Sequence, residues 1–137
     1  LLCYRASGPK GLLARQAQSW DPVLAWAADD LGAPLSLAEG IVHLAQPDAS
    51  IAALRGAIEG MDALALAALH VMTTLTGSAL LPLAVAQGKL SPEGAWEAAH
   101  VDEDWQVDQW GEDTEAKIRR QNRKRDFDAA AKILALS

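Results

Sequence analysis

A chain of 137 residues is long enough for one domain with its own core, and a formal charge of −6 argues against a general nucleic-acid binder. Half the residues are hydrophobic, much of that alanine, and aromatics are only 5%, so helix is favoured over strand. Cys3 is the single cysteine, which excludes an internal disulfide and fits a reducing compartment such as bacterial cytoplasm or mitochondrial matrix.

No charged stretch followed by an apolar one marks a signal peptide, and the chain begins Leu1-Leu2 rather than with Met, so a domain of a longer protein is expected. Pro9 can open a helix through about Ser19. Asp21-Pro22 reads as an N-cap with proline at the first helical position, and Gly32 closes that second helix. Its apolar face is Val23, Leu24, Ala27, Ala28 and Leu31, with Trp26 at the border. From Ala33 to Pro47 the punctuation by Pro34, Gly40 and Pro47 changes the pattern. Leu35, Leu37, Ile41 and Leu44 there suggest irregular or short extended chain.

A helix from Asp48 to about Glu59 follows, with Ile51, Leu54 and Ile58 at helical spacing. Gly60 ends it, and Asp62 caps a helix running to about Leu75. Gly77-Ser78 separates that helix from another over Ala79–Gln87, stopped by Gly88. No charge occurs from Ala63 to Gln87, a run about as long as a membrane span. His70, three threonines, Gly77-Ser78 and Pro82 interrupt it, so two short bundle helices are expected and no membrane insertion. Ser91-Pro92-Glu93 supplies N-cap, proline and first-turn acid for a helix to about Trp110. A last helix carries a basic run and ends in Phe127, Ile133, Leu134 and Leu136. The expected fold is all-α, a bundle of about six or seven short helices with an irregular or short extended segment near 33–47.

The segment from Ser91 to Glu115 is the most informative. It holds Trp96, Trp105 and Trp110, and from Asp102 to Glu115 it carries seven carboxylates and no Lys or Arg. The sign then reverses through Lys117, Arg119, Arg120, Arg123, Lys124 and Arg125. Tryptophan beside uncompensated acid usually meets a core, a basic partner surface, or both. On one helix from Pro92, residues Trp96, Ala99, Glu103, Gln106, Val107 and Trp110 share a face, with Trp105 on another. Glu103 there either accepts hydrogen bonds in a structural network or lies at the rim of a partner groove. The basic run reads as solvated helix, with Asp113–Lys117 and Glu115–Arg119 in the favourable order, or as a handle for an acidic partner.

Chemistry finds little purchase. Glu97-x-x-His100 is half of a di-iron carboxylate pattern without a second copy, since Glu39 and His43 are four apart. His70, among Ala68, Leu69 and Val71, reads as a satisfied core or boundary histidine. Neither a Gly-x-Ser-x-Gly elbow nor a phosphate-binding Gly-x-x-x-x-Gly-Lys-[Ser/Thr] loop is present.

The order Cys3-Tyr4-Arg5-Ala6, Trp20-Asp21-Pro22-Val23-Leu24-Ala25-Trp26, Gly40-Ile41, Gln46-Pro47 and Glu103-Asp104-Trp105-Gln106 with Trp110-Gly111 and Glu115 resembles the ATP-twelve family. These are assembly chaperones for the alpha subunit of F-type ATP synthase. The resemblance runs along essentially the whole chain, through the order and spacing of motifs rather than any single one. It implies a non-enzymatic chaperone with a β-rich N-terminal domain and a helical C-terminal domain, of which residues 1–137 would be the latter. It implies binding of the unassembled alpha subunit before it pairs with beta, without cofactor, by a monomer in bacterial cytoplasm (mitochondrial matrix in a eukaryote). The family's acidic-aromatic motif falls on Glu103, Gln106, Trp110, Gly111 and Glu115, and its important glutamate on Glu93 or Glu97. Two departures stand out: Asp104 where a second Glu is common, and Glu112-Asp113-Thr114-Glu115 where Val-Glu often follows Trp-Gly. The alternative expectation is a small helical enzyme or metal-binding domain using Glu97 and His100.

Overall fold

The computed structural model describes residues 2–40 and 44–136. The expectations placed on Ile41 and His43 therefore lie outside the described residues. The fold is all-α as expected, with seven helices among the described residues and two strands of two residues each. By internal contacts the chain divides into two compact units, residues 1–61 and 62–137.

In the first unit, β1 (Tyr4–Arg5) pairs in parallel with β2 (Ala38–Glu39). Ala38 donates to the Cys3 carbonyl at 2.8 Å and Gly40 to that of Arg5 at 2.9 Å. The extended character read in 33–47 is thus present, although its partner β1 was not anticipated. Helix α1 (Lys10–Asp30) runs unbroken where two helices were expected, and Pro22 lies inside it. Proline removes the bond to the carbonyl four residues back. That carbonyl belongs to Gln18, an exposed residue, so water can serve it and the break is avoided. Asp21 consequently caps nothing and instead accepts from Arg5 Nη2 at 2.8 Å. The same Arg5 donates to the Leu2 carbonyl and lies 5.3 Å over the Trp20 ring, fixing the start of the chain on α1. Trp20, Val23, Trp26 and Ala27 are buried on α1, so Trp26 is core rather than border. Helix α2 (Asp48–Ile58) follows, with the Ser50 hydroxyl donating to the Pro34 carbonyl.

The second unit holds α3 (Ala63–Thr76), α4 (Leu80–Ala86), α5 (Pro92–Ala99), α6 (Val101–Trp110) and α7 (Thr114–Ala135). The uncharged run is two bundle helices, and no helix among the described residues is long and apolar enough to cross a membrane. Asp62 caps α3 by accepting from the Ala65 amide at 2.8 Å. Gly77 ends it at φ 73°, a left-handed conformation that side chains with a Cβ resist. Helices α3 and α7 are the main packing pair, and α4 packs on α3, α5 and α7. Leu69, Met72, Leu81, Leu83, Trp96, Phe127 and Leu134 are buried here, with the Trp96 and Phe127 rings 5.1 Å apart.

The largest departure concerns the helix expected from Pro92 to Trp110. It is two helices, broken at His100, whose φ of −117° and ψ of 21° leave the helical region. His100 is 5% exposed and its ring packs against Trp96 with centroids 4.2 Å apart and planes tilted by 41°, so the side chain is drawn into the core at the cost of one helical step. The single face from Trp96 to Trp110 does not exist: Trp96 is 3% exposed and Trp110 83%.

Candidate functional site

The acidic-aromatic segment forms a corner. Gly111 ends α6 at φ 89°, and the chain turns through Glu112 to Asp113, whose carboxylate accepts from the Glu115 and Ala116 amides and caps α7. Trp110 stands on that corner with its indole in solvent. Between α6 and the first turns of α7 lies a cleft of about 270 Å³. Glu103, Gln106, Val107 and Trp110 line it from α6, and Lys117 and Arg120 from α7.

Charge in this region is organised by the basic run. Arg120 Nη1 meets Asp104 Oδ1 at 2.6 Å and Glu103 Oε2 at 3.9 Å. Lys117 pairs with Glu112 at 3.6 Å rather than with Asp113, which is occupied as a cap. Arg119 reaches Glu115 at 3.9 Å, the helical pair expected. Lys124 holds Glu93 at 2.7 Å and Asp128 at 3.0 Å, and these two bonds raise its pKa, Glu93 contributing most. Arg123 donates to the Leu75 carbonyl at 2.6 Å. The run therefore is not merely solvated, since three of its cations tie α7 to α3, α5 and α6.

His100 sits behind the cleft. Its Nδ1 lies 2.7 Å from the Trp96 carbonyl, which can only accept, so Nδ1 carries the proton in the neutral ring. Nε2 is 3.9 Å from Glu103. Burial is the main reason its pKa is lowered, with Arg120 and Arg123 adding to the effect and the Trp96 bond and Glu103 opposing it.

Of the residues singled out from sequence, Glu103, Gln106 and Trp110 are brought together on the cleft. Glu93 and Glu97 are exposed on α5 and Glu115 is exposed in the first turn of α7; none of the three lines it. Glu112, Lys117 and Arg120 line it as well, a placement beside Glu103 that the sequence does not disclose, because only the turn at Gly111 brings α7 back beside α6. Glu97 and His100 do not form a metal pair, one being exposed and the other buried with Nδ1 engaged. No group of three or more His, Cys, Asp or Glu among the described residues could hold a metal ion. His70, expected at the core or its boundary, is exposed on α3.

No family model matches the chain. Solved structures do. Atu1473, a candidate chaperone from Agrobacterium tumefaciens, is 54% identical with a TM-score of 0.95, over 98% of this chain and 51% of that one. Atp12 from Paracoccus denitrificans is 35% identical with a TM-score of 0.94, over 98% of this chain and 58% of that one. A point mutant of the P. denitrificans protein is 34% identical with a TM-score of 0.94 and the same coverage. The chain thus spans between 51% and 58% of the length of the structures it matches. The matches run over 98% of the chain at 35% and 54% identity: the chain belongs to the Atp12 chaperone family.

Proposed function

We propose that this chain is the helical C-terminal domain of an assembly chaperone for the catalytic head of F-type ATP synthase. In this reading it binds the unassembled alpha subunit and keeps it from aggregating until it pairs with beta. The observation that carries the reading is Trp110, 83% exposed at the edge of a cleft lined by Glu103 and Glu112 together with Lys117 and Arg120, in a member of a chaperone family. An indole that size left in water is costly unless something covers it, and aromatic anchors beside charge are typical of binding hot spots.

A lone subunit face offers apolar surface together with charges meant for its proper neighbour. A holder presenting indole and carboxylate side by side covers both kinds of group, yet yields to a better-matched partner. Trp110 and Gln106 would supply contact area, Glu103 and Glu112 would meet basic groups, and Glu93, Glu97 and Glu115 would extend the acidic surface. Glu103 and Glu93 already have internal cations, so a client's Lys or Arg would have to compete with Arg120 and Lys124. Such competition makes capture reversible. We further propose that the chain acts as a monomer in bacterial cytoplasm and that a β-rich domain precedes it in the longer protein.

Co-expression of this chain with an alpha subunit in the absence of beta tests the reading. Soluble alpha that co-purifies is the expected result. Insoluble alpha with this chain, but soluble alpha with the longer protein, would move the client site off the helical domain. Failure of both would overturn the reading.

A further inference from the structure

A second surface lies on the other packing seam of this unit. Helices α3 and α7 leave between them an open groove of about 550 Å³, twice the volume of the cleft beside Trp110. Ala67, Ala68, Ala129 and Ala130 line it, Ala68 and Ala130 being buried, and the larger Leu64, Val71, Leu75 and Ile133 complete its apolar lining. Leu64 is 61% exposed, Val71 39% and Ile133 37%, which is dense apolar exposure for two adjoining helices. On α3 the lining runs from Leu64 to Leu75, roughly 16 Å or three helical turns at 1.5 Å per residue.

Two ionisable residues line the groove, His70 and Asp126. The carboxylates near the basic run are answered by cations: Glu93 and Asp128 by Lys124, Asp104 by Arg120, Glu112 by Lys117 and Glu115 by Arg119. Asp126, directly after that run, has no side-chain ion-pair or hydrogen-bond partner among the described residues. An apolar trough with one unanswered carboxylate at its side is complementary to an apolar ridge carrying one cation.

We propose that the α3–α7 groove docks an amphipathic α-helix of a protein partner, its apolar stripe over the alanines and a Lys or Arg paired with Asp126. The small residues allow close approach of a third helix, at interaxial distances of about 8–10 Å. Three turns of groove accommodate anchors at the i, i+4, i+7 positions typical of helix-in-groove recognition. The inference does not depend on the alpha subunit being the client. It concerns a different face from the Trp110 cleft and the acids around it.

A charge-swap experiment tests it. The probe is a fluorescein-labelled helical peptide with leucines at i, i+4 and i+7, alanine elsewhere, and one lysine beside the leucine stripe. A second probe carries glutamate in place of the lysine. Fluorescence polarisation with the whole 137-residue chain reads the affinity of each. The lysine probe should bind about tenfold more tightly than the glutamate probe, and Asp126→Lys should invert that order. Val71→Arg, at an exposed rim position, should abolish binding of both while leaving the circular dichroism spectrum unchanged. Absence of binding by either probe would overturn the proposal, as would an order of affinities that Asp126→Lys leaves untouched. A concentration-dependent dimer of the free chain, abolished by Val71→Arg, would assign the groove to a second copy instead and overturn it too.

Discussion

Two tryptophans fourteen positions apart sit in opposite environments, one in the core and one in solvent. Trp96 is buried against Phe127 and His100, and Trp96→Ala removes an indole from the core of the second unit. The loss is expected to be about 3–5 kcal/mol, measurable by urea unfolding. Trp110 touches the cleft but stays in solvent, so Trp110→Ala should change stability by no more than about 0.5 kcal/mol. His100 carries a pH dependence. Its folded pKa lies below the ordinary value of 6.5, so the folded state favours the neutral ring. The unfolded chain then binds more protons below that value, and stability present above it is lost as pH falls toward the folded pKa. The melting temperature should drop between about pH 7.5 and pH 5.5, and His100→Gln should flatten that drop. An equal drop in both proteins would assign the dependence to groups other than His100.

At the level of elements, most helix boundaries were legible because their chemistry is local. Asp62, Gly77 and Ser91 with Pro92 act within a few residues of the ends they define, whereas Asp113, read as an ion-pair partner of Lys117, caps α7. Asp62→Ala should cost about 1 kcal/mol in chemical denaturation through loss of the bond to the Ala65 amide. The two misread boundaries are those where distant contacts decide. Pro22 signals a helix start only if the chain before it is not already helical, and Arg5 takes Asp21, the residue that would have capped it. His100 interrupts a helical pattern because its ring is buried beside Trp96, which spacing alone does not disclose. The site was legible to the same degree. Glu103, Gln106 and Trp110 fall on one helix and were found together, whereas Arg120 and Lys117 enter through the turn at Gly111 and were not. The pairing of Glu93 with Lys124 across α5 and α7 likewise needed tertiary structure. A double-mutant cycle on that exposed pair should give a coupling of about 0.2–1 kcal/mol, falling as salt is added.

For the whole molecule, a net charge of −6 coexists with a basic helix whose cations largely answer nearby acids of this chain. The surplus negative charge therefore remains available to a basic partner surface and favours fast, salt-sensitive encounter. The Trp110 cleft and the α3–α7 groove are separate surfaces of one unit, one acidic-aromatic and one apolar. In the proposed function the first of these faces binds an unassembled alpha subunit. The most direct test is recovery of soluble alpha subunit co-purifying with this chain, compared between the unmodified sequence and the Trp110→Ala, Gln106→Ala double variant. The double variant should recover about tenfold less alpha or lower still, at unchanged stability of the chain. Equal recovery with both would contradict the proposed function.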